Sequence, residues 1–434
     1  MTSLSSILDQ ASPAVRRLLD CVLSGHDLAV DDAVRLFEVT GPDLRALCGT
    51  ADHLRREQAG DLVTYVVNRN INFTNVCVKA CKFCAFSRDL RSEQGYLLPT
   101  DEIIRRTAQA RDYGATEVCL QAGLAPTVDG SNYIELCRTV HEAIPDVHLH
   151  AFSPEEIRYG VQRSKLPLVE YLTALKDAGL GSLPGTSAEI LDDTLRRRIA
   201  PGRISTQEWI DVITTAHGLG IPTTSTMMFG HVETFADRAR HLDLLRSIQR
   251  DTGGFTEFVP LSFVHEEAPL FAKQEVAGVL PGPDGNDVLR TYAIARLMLG
   301  RDIPNLQASW VKEGLRMTQL LLDCGVNDVG GTLMNESIST KAGARNGQLM
   351  TPAVLRRLIR GAGREPAERS TTYTILRRFG MVEDPDVAAS EPLNSVEDAE
   401  AVFGSYDELA NDPTFHYDFD RDYDASRTLM PQGV

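Results

Sequence analysis

The chain has 434 residues, of which 43% are hydrophobic and 24% are charged, a composition typical of a globular protein with a large core. No run of about 18 apolar residues occurs, so the sequence predicts no membrane span. Most of the net charge of −16 lies in residues 381–434, where 14 acidic residues stand against two arginines, and this balance excludes nucleic acid as an expected partner.

The chain also carries features that bear on its compartment. Its first 20 residues lack the basic start, apolar centre and small-residue cleavage site of a secretory signal. Three of its eight cysteines lie in one short run and the other five are scattered singly, so a disulfide framework is not expected. Both observations predict a cytoplasmic protein.

The predicted elements divide the chain into four parts. Residues 1–60 predict two or three helices that cap the closed end of the following domain. Residues 61–332 alternate eight short β-rich runs with eight amphipathic helices, an α/β pattern typical of a (β/α)8 TIM-type barrel. Residues 333–380 predict a C-terminal helical segment, with helices around TPAVLRRLIRGAG and TTYTILRRFG. Residues 381–434 predict a solvated acidic tail, with the alternative that the aromatic residues of YDFDRDY dock part of it on the body of the protein.

Cys77, Cys81 and Cys84 form a C-x3-C-x2-C run directly after the first predicted strand. Three thiolates without a fourth Cys or His nearby fill three corners of a tetrahedral site, whereas a structural zinc ion requires four ligands. A cubane iron–sulfur cluster has four irons, one of which can stay open to a small molecule. The run therefore favours a [4Fe-4S] cluster, with zinc or a chance pattern as the alternatives.

Two other residues are candidates for catalysis because they lie in or after predicted barrel strands. His231, in GHVET, follows the fifth predicted strand, and the alternative for it is a solvent-exposed turn. Glu257 interrupts an otherwise apolar sixth strand. A carboxylate there is costly unless it is paired or directed into the barrel mouth. We predict catalytic roles for both residues.

With Phe83 just before its third cysteine, the cysteine run resembles the cluster loop of the radical S-adenosylmethionine (SAM) enzymes. Between residue 60 and about residue 350, the blocks NRNINFTNVCVKACKFCAF, GLGSLPGTSAEIL and GGFTEFVPLSFVHEEAPL are similar to the subgroup that builds deazaflavin and menaquinone precursors. The resemblance implies a barrel that holds a [4Fe-4S] cluster through Cys77, Cys81 and Cys84 and uses SAM as a second cofactor.

The same resemblance implies further cofactor-binding residues. Phe83 would pack near the adenine, and Gln121 and Gly123 would meet the methionine end of SAM. Glu189 would bind the SAM ribose or amine, with stabilisation of a helix N-terminus as the alternative. Ala122 is a departure, since these enzymes commonly carry a second glycine there. With ordinary backbone dihedrals at Ala122 the change is mild.

Within the subgroup, the longer blocks resemble the deazaflavin-forming branch. This implies a transferase that joins the 4-hydroxybenzyl group of L-tyrosine to 5-amino-6-(D-ribitylamino)uracil on the route to 7,8-didemethyl-8-hydroxy-5-deazariboflavin (FO). The implied partners are an external one-electron reductant and a second FO synthase subunit, and neither nucleic acid nor a membrane is expected. The alternative is a menaquinone-pathway enzyme like aminofutalosine synthase, which shares the fold and the cofactors.

Overall fold

The computed structural model describes residues 3–422. Parallel strands form its centre, and one antiparallel strand is added near the C-terminus. In chain order the strands are β1 Leu62–Val66, β2 Asn68–Ile71, β3 Glu117–Leu120, β4 His148–Ala151, β5 Leu180–Ser182, β6 Thr223–Phe229, β7 Phe255–Ser262, β8 Asp328–Gly331, β9 Glu365–Arg369 and β10 Ile375–Arg378.

The strands β1 to β8 close into a barrel. β2, β3, β4 and β5 pair side by side in parallel, as do β6 and β7, and β1 pairs with β8. Leu183 pairs with Thr223 to join β5 to β6, and the segment 306–307 bridges β7 and β8 as a short seventh strand position. β1 and β2 together form the first position. The predicted eight-position (β/α)8 barrel is confirmed.

The helices cover the outside of the barrel and its ends. They are α1 Leu4–Leu8, α2 Pro13–Leu23, α3 Val30–Leu36, α4 Gly41–Ala59, α5 Thr100–Asp112, α6 Gly130–Ala143, α7 Pro154–Ser164, α8 Leu168–Asp177, α9 Asp193–Ile199, α10 Thr206–Gly218, α11 Phe235–Thr252, α12 Pro269–Ala272, α13 Gly285–Leu299, α14 Trp310–Leu321, α15 Ile338–Lys341, α16 Pro352–Gly361, α17 Pro385–Ser390, a 3-10 helix Pro392–Ser395, α18 Ala399–Phe403 and α19 Tyr406–Asn411.

Local sequence explains where many of these helices begin. The side chains of Ser153, Ser205 and Thr234 each accept a hydrogen bond from the backbone N–H of the third residue of their helix. The side chain of that third residue accepts a hydrogen bond from the backbone N–H of the capping residue. These capping boxes place helix starts directly after barrel strands or their loops. None of the described helices is long and apolar enough to cross a membrane.

The first 60 residues form four helices along the side of the barrel. α3 and α4 pack against α11 and α13. The Phe37 ring stacks on Phe235 with 5.3 Å between centroids, and Arg250 pairs with Asp27 at 2.7 Å. The prediction that this segment caps the closed end is therefore wrong, because its buried leucines and alanines face the outer surfaces of barrel helices.

A β-hairpin covers the closed end instead. β9 runs parallel to β1, and β10 returns antiparallel to β9. TPAVLRRLIRGAG does form α16, but the helical prediction for TTYTILRRFG is wrong, since its β-branched and aromatic residues favour a strand. At the end of β9, Arg369 donates to Asp328 at 2.6 Å and lies 3.5 Å from Glu257, so it enters the N-terminal end of the barrel.

The acidic C-terminal part docks on the barrel as far as residue 422. Leu97 N–H donates to Phe415 O, and Tyr417 N–H donates to Gly95 O, both at 2.9 Å. The prediction of a solvated tail is wrong for residues 381–422, because apolar side chains between the acids are buried, and residues 423–434 lie outside the described part. The buried side chains are Leu393, Phe403, Tyr406, Leu409, Ala410 and Tyr417.

Candidate active site

A pocket opens at the C-terminal ends of the barrel strands, where this fold carries its chemistry. Its cavity volume is about 280 Å³, close to the lower end of the roughly 300–1,000 Å³ of a typical ligand site. Seven of the nine site residues predicted from the sequence line it. They are Cys77, Cys81, Phe83, Cys84, Gln121, Gly123 and Glu189.

The three cysteines lie on an irregular loop between β2 and α5. Cys77 N–H donates to Arg88 O at 3.1 Å, which ties the start of the loop to its end. In the middle, Lys82 N–H donates to Ile199 O at 2.9 Å, at the end of α9. The loop is therefore anchored to the barrel on both sides of the cysteines.

The thiols fit a cubane cluster better than a single metal ion. Among the residues that the structure describes, no group of three or more Cys, His, Asp or Glu side chains converges as ligands of one ion would. A [4Fe-4S] cluster binds each thiolate at a different iron, so its cysteines need only border a shared space. Burial raises the pKa of Cys81 to about 12, and it raises the pKa of Cys77 as well, so iron must displace protons on binding.

The loop after β3 meets the cysteine loop at close range. A Cβ on Gly123 would lie 2.3 Å from Val76 O, so only glycine fits there. Ala122 is not among the described residues with positive φ, which makes the missing second glycine the mild change that we expected. Its N–H donates to Glu156 Oε1 at 3.0 Å, and burial raises the pKa of Glu156 to about 7.

Three charged side chains, those of Glu155, Glu189 and Arg203, border the pocket beside the cysteines. Glu189 forms an ion pair with Arg203, which also pairs with Glu155 at 3.1 Å. The Arg203 guanidinium lies over the Phe83 ring at 5.8 Å. Arg203 thus links Glu189 to Phe83. The sequence analysis missed Arg203, Glu155 and Glu156, although Glu155 and Glu156 follow the third strand directly in HAFSPEEI.

His231 does not line the pocket. It is fully buried, with Nδ1 accepting from Val232 N–H at 2.8 Å and Nε2 facing Met228 O at 3.1 Å. Its own N–H donates to Glu233 at 2.9 Å. Since both ring nitrogens are used by the backbone, the ring holds the loop after β6, and the catalytic hypothesis for His231 is corrected to a structural role.

Glu257 lies at the other end of the barrel. It is the third residue of β7, near the strand's N-terminal end, and its carboxylate is held by Arg369 and by the Tyr373 hydroxyl. Burial raises its pKa, and Arg369 opposes that shift. The catalytic hypothesis for Glu257 is therefore corrected as well. From the sequence we expected the Glu257 carboxylate either to be paired or to point into the mouth of the barrel. In the structure it is paired.

Lys312 is a pocket residue that the sequence analysis missed. It lies in the first turn of α14 and lines the same pocket as the cysteines. Burial lowers its pKa, and the carboxylates of Glu336, Glu313 and Glu189 oppose that shift, although within the described part of the chain none of them forms a hydrogen bond or ion pair with the half-buried Lys312 ammonium. A cation in a helix's first turn also opposes the helix dipole. The signal available in the sequence was its position in WVKEG, just after the seventh strand position.

Two family profiles together match most of the barrel and the closing hairpin. The radical SAM superfamily matches residues 71–245, and the CofH/MqnC C-terminal region matches residues 252–380. In fold, the chain is similar to the hydrogenase maturase HydG of Carboxydothermus hydrogenoformans, with a TM-score of 0.65 at 15% identity over 99% of both chains. It is also similar to methylornithine synthase PylB, with a TM-score of 0.60 at 20% identity over 81% of this chain and 97% of that one.

Curated relatives give a closer match. A 5-amino-6-(D-ribitylamino)uracil–L-tyrosine 4-hydroxyphenyl transferase of Methanothermobacter thermautotrophicus is 50% identical over 79% of this chain and 93% of its own length. The enzyme of that name from Methanocaldococcus jannaschii is 47% identical over 81% of this chain and 97% of its own length. An FO synthase of Mycobacterium tuberculosis is 48% identical over 79% of this chain and 40% of its own length.

These matches agree with the cysteine loop and the barrel that carries it. Radical SAM enzymes use a [4Fe-4S] cluster and SAM, and the described pocket offers three thiols and space for a small molecule beside them. The chain belongs to the radical SAM superfamily and, within it, to the family of tyrosine-using transferases that act in FO synthesis.

Proposed function

We propose that this enzyme transfers the 4-hydroxybenzyl group of L-tyrosine to 5-amino-6-(D-ribitylamino)uracil. The observation that carries the proposal is the 47–50% identity to transferases of that name over about four fifths of the chain. When bound, the cluster and SAM supply reductive cleavage of the SAM sulfonium and removal of a hydrogen atom from the amino acid. The side chains of the protein bind and orient these cofactors and the substrates.

On the cofactor side, Cys77, Cys81 and Cys84 hold the cluster. Gln121 and Gly123 border the methionine end of SAM, and the Gln121 amide donates to Thr186 at 2.7 Å, which limits how it can turn. Glu189 and Phe83 face the rest of SAM. These assignments are supported by the position of the residues in the lining of the pocket.

On the substrate side, we propose that Lys312 binds the tyrosine carboxylate. The half-buried Lys312 ammonium has no ion pair among the described residues, so a carboxylate ligand would supply one. The pocket also offers hydroxyl groups suited to a ribityl chain, from Ser153, Thr186, Ser187 and Thr226. The apolar residues Leu261, Phe263 and Val264 form the wall that would exclude water from the reacting groups.

The test is an anaerobic assay with SAM, a strong reductant, L-tyrosine and the ribitylaminouracil, followed by mass analysis. We expect a coupled product that is one 4-hydroxybenzyl unit heavier than the uracil, and 5′-deoxyadenosine formation that requires both substrates. No coupled product, with turnover on a chorismate-derived enol ether instead, would move the assignment to the aminofutalosine synthase branch.

The Lys312 assignment has its own test. Lys312→Met should weaken tyrosine binding by about 10- to 100-fold, the range for losing one charged hydrogen bond. Tyramine, which lacks the carboxylate, should bind the parent and the variant equally. Equal losses for tyrosine and tyramine would show that Lys312 acts on the pocket and not on the carboxylate.

We further propose that the coupled product passes to a second FO synthase subunit. The support is that the mycobacterial FO synthase is longer than this chain, which matches 40% of it. A reducing cytoplasm is the compartment that we propose, because an oxygen-sensitive cluster and free cysteines are maintained there. An external one-electron reductant completes the system.

A further inference from the structure

We define the C-terminal strap as residues 393–417. It begins after residue 380, the last residue that the family profiles match. It includes α18, α19 and the chain that pairs beside residues 95–97. Five of its buried residues are aromatic or large and apolar, namely Leu393, Phe403, Tyr406, Leu409 and Tyr417. None of the assigned cofactor or substrate roles uses this segment.

One hydroxyl of the strap joins the two ends of the cysteine loop. Asn75 Nδ2 donates to the Tyr406 hydroxyl at 2.9 Å, and that hydroxyl donates to Phe86 O at 2.9 Å. Asn75 stands two residues before Cys77, and Phe86 stands two residues after Cys84. The Tyr406 ring packs edge-on against Phe86 with 5.2 Å between centroids. Tyr406 therefore adds a side-chain bridge between the entry and the exit of the loop to the backbone hydrogen bonds that Arg88 makes with Asn75 and Cys77.

Little else replaces this bridge at Phe86. Within the described residues, the other donor to Phe86 O is Arg88, at a long 3.4 Å, and the Arg88 guanidinium itself lies over the Tyr406 ring at 5.3 Å. On the Asn75 side, the amide oxygen is already engaged by Tyr96 N–H at 2.9 Å. Loss of the Tyr406 hydroxyl would leave a buried carbonyl poorly satisfied, which is destabilising.

The strap also contacts the segment that covers the pocket. Asn335 Nδ2 donates to Phe403 O at 2.6 Å, and Lys341 pairs with Asp407 at 2.6 Å. The Lys341 ammonium lies over the Tyr406 ring at 4.7 Å. Because α15 contributes Ile338 to the pocket lining, the strap holds a second wall of the site in addition to the cysteine loop.

We infer that Tyr406 is a positioning residue that ties the ends of the cysteine loop, so that the strap determines how firmly the loop retains its cluster. The inference goes beyond the proposed function and does not depend on it, because cluster retention requires neither tyrosine nor the uracil. The Tyr406 hydroxyl acts through Asn75 and Phe86 and has no contact with a cysteine in the described structure.

The test compares Tyr406→Phe with Tyr171→Phe after cluster reconstitution. Tyr171 is the matched control because it is equally buried and its hydroxyl donates to one backbone carbonyl, Gly130 O at 3.2 Å, outside the cysteine loop. The loss of visible absorbance is followed with an iron chelator under anaerobic conditions. We expect Tyr406→Phe to lose its cluster about 10-fold faster than the parent, and Tyr171→Phe to match the parent.

Hydrogen–deuterium exchange of the cluster-free protein gives a second measurement. Tyr406→Phe should raise exchange in residues 75–88, whereas Glu400→Gln, a change of an exposed side chain in the same strap, should leave it unchanged. Parent-like chelation and parent-like exchange in Tyr406→Phe would overturn the inference. Equal acceleration of cluster loss in Tyr171→Phe would also overturn it, because the effect would then reflect general destabilisation.

Discussion

Both ends of the barrel hold charged side chains, and the two ends differ in how those charges are paired. At the closed end, Arg369 bonds Asp328 and lies beside Glu257. At the pocket end, Arg203 is paired with Glu155 and Glu189, yet Lys312 has no partner within the described residues. A charge that has no counter-ion in the protein interior is costly. The paired charges at the closed end therefore stabilise the fold, whereas Lys312 is available to bind a charged ligand.

The largest effect should come from the cysteines at the pocket end. Changing Cys77, Cys81 or Cys84 to Ala removes one corner of the cluster site, so SAM cleavage should be abolished. The thermal unfolding of the cluster-free protein should change little, because these side chains are only partly buried. The measurements are 5′-deoxyadenosine yield, bound iron and melting temperature. 5′-deoxyadenosine from a triple Ala variant would refute the cluster assignment.

At the closed end, Arg369→Met should destabilise the protein by about 3–5 kcal/mol, because it leaves Asp328 and Glu257 buried without their cation. Urea unfolding of the cluster-free protein measures this. The control is Arg378→Met, which breaks an exposed pair with Glu365 in the same hairpin and should change stability far less than Arg369→Met. Equal effects of the two variants would show that the closed-end network does not stabilise the fold.

Acid should weaken the pocket end through His241. Burial lowers the pKa of this residue to about 3, below the unfolded value of about 6.5. Its Nδ1 accepts from Leu191 N–H at 3.1 Å, so the neutral ring is required, and its stability contribution is complete above pH 6.5 and is lost as the pH falls toward 3.

From pH 6.5 to 4.5 that loss amounts to about 2–3 kcal/mol. His241→Gln can keep both hydrogen bonds without titrating, so its unfolding free energy should fall less steeply over this range. Replacement of the exposed His53 by Gln is the control and should leave the parent's slope unchanged. Identical slopes for the parent and His241→Gln would contradict the prediction.

The smallest effect on stability should come from Lys312→Met. Because Lys312 has no partner to lose, the free energy of unfolding without substrate should stay within about 1 kcal/mol of the parent or rise. The measurement is again urea unfolding of the cluster-free protein. A loss as large as that of Arg369→Met would mean that Lys312 belongs to the fold's own charge network, and the contrast between the two ends would fail.

The sequence predicted the cofactor side of the site better than the catalytic residues. Cys77, Cys81, Phe83, Cys84, Gln121, Gly123 and Glu189 all line the pocket, as expected from their local motifs and from the family resemblance, and their roles as ligands stay predictions. Glu257 was misassigned because its partner Arg369 lies 112 residues away in the sequence. Lys312 was missed because a single lysine at the start of an amphipathic helix is, in the sequence, indistinguishable from a solvated one.

The sequence by itself determined the eight-fold alternation of strands and helices and predicted the three cysteine ligands, since both depend on short-range periodicity and spacing. Only the tertiary structure decided what closes the barrel, which charges are paired, and that the acidic C-terminus docks beside the cysteine loop. These depend on contacts between distant segments, such as Tyr406 with Asn75 and Phe86. Local composition reports how polar a segment is, but whether its few aromatic residues find a surface to bury against depends on the whole fold.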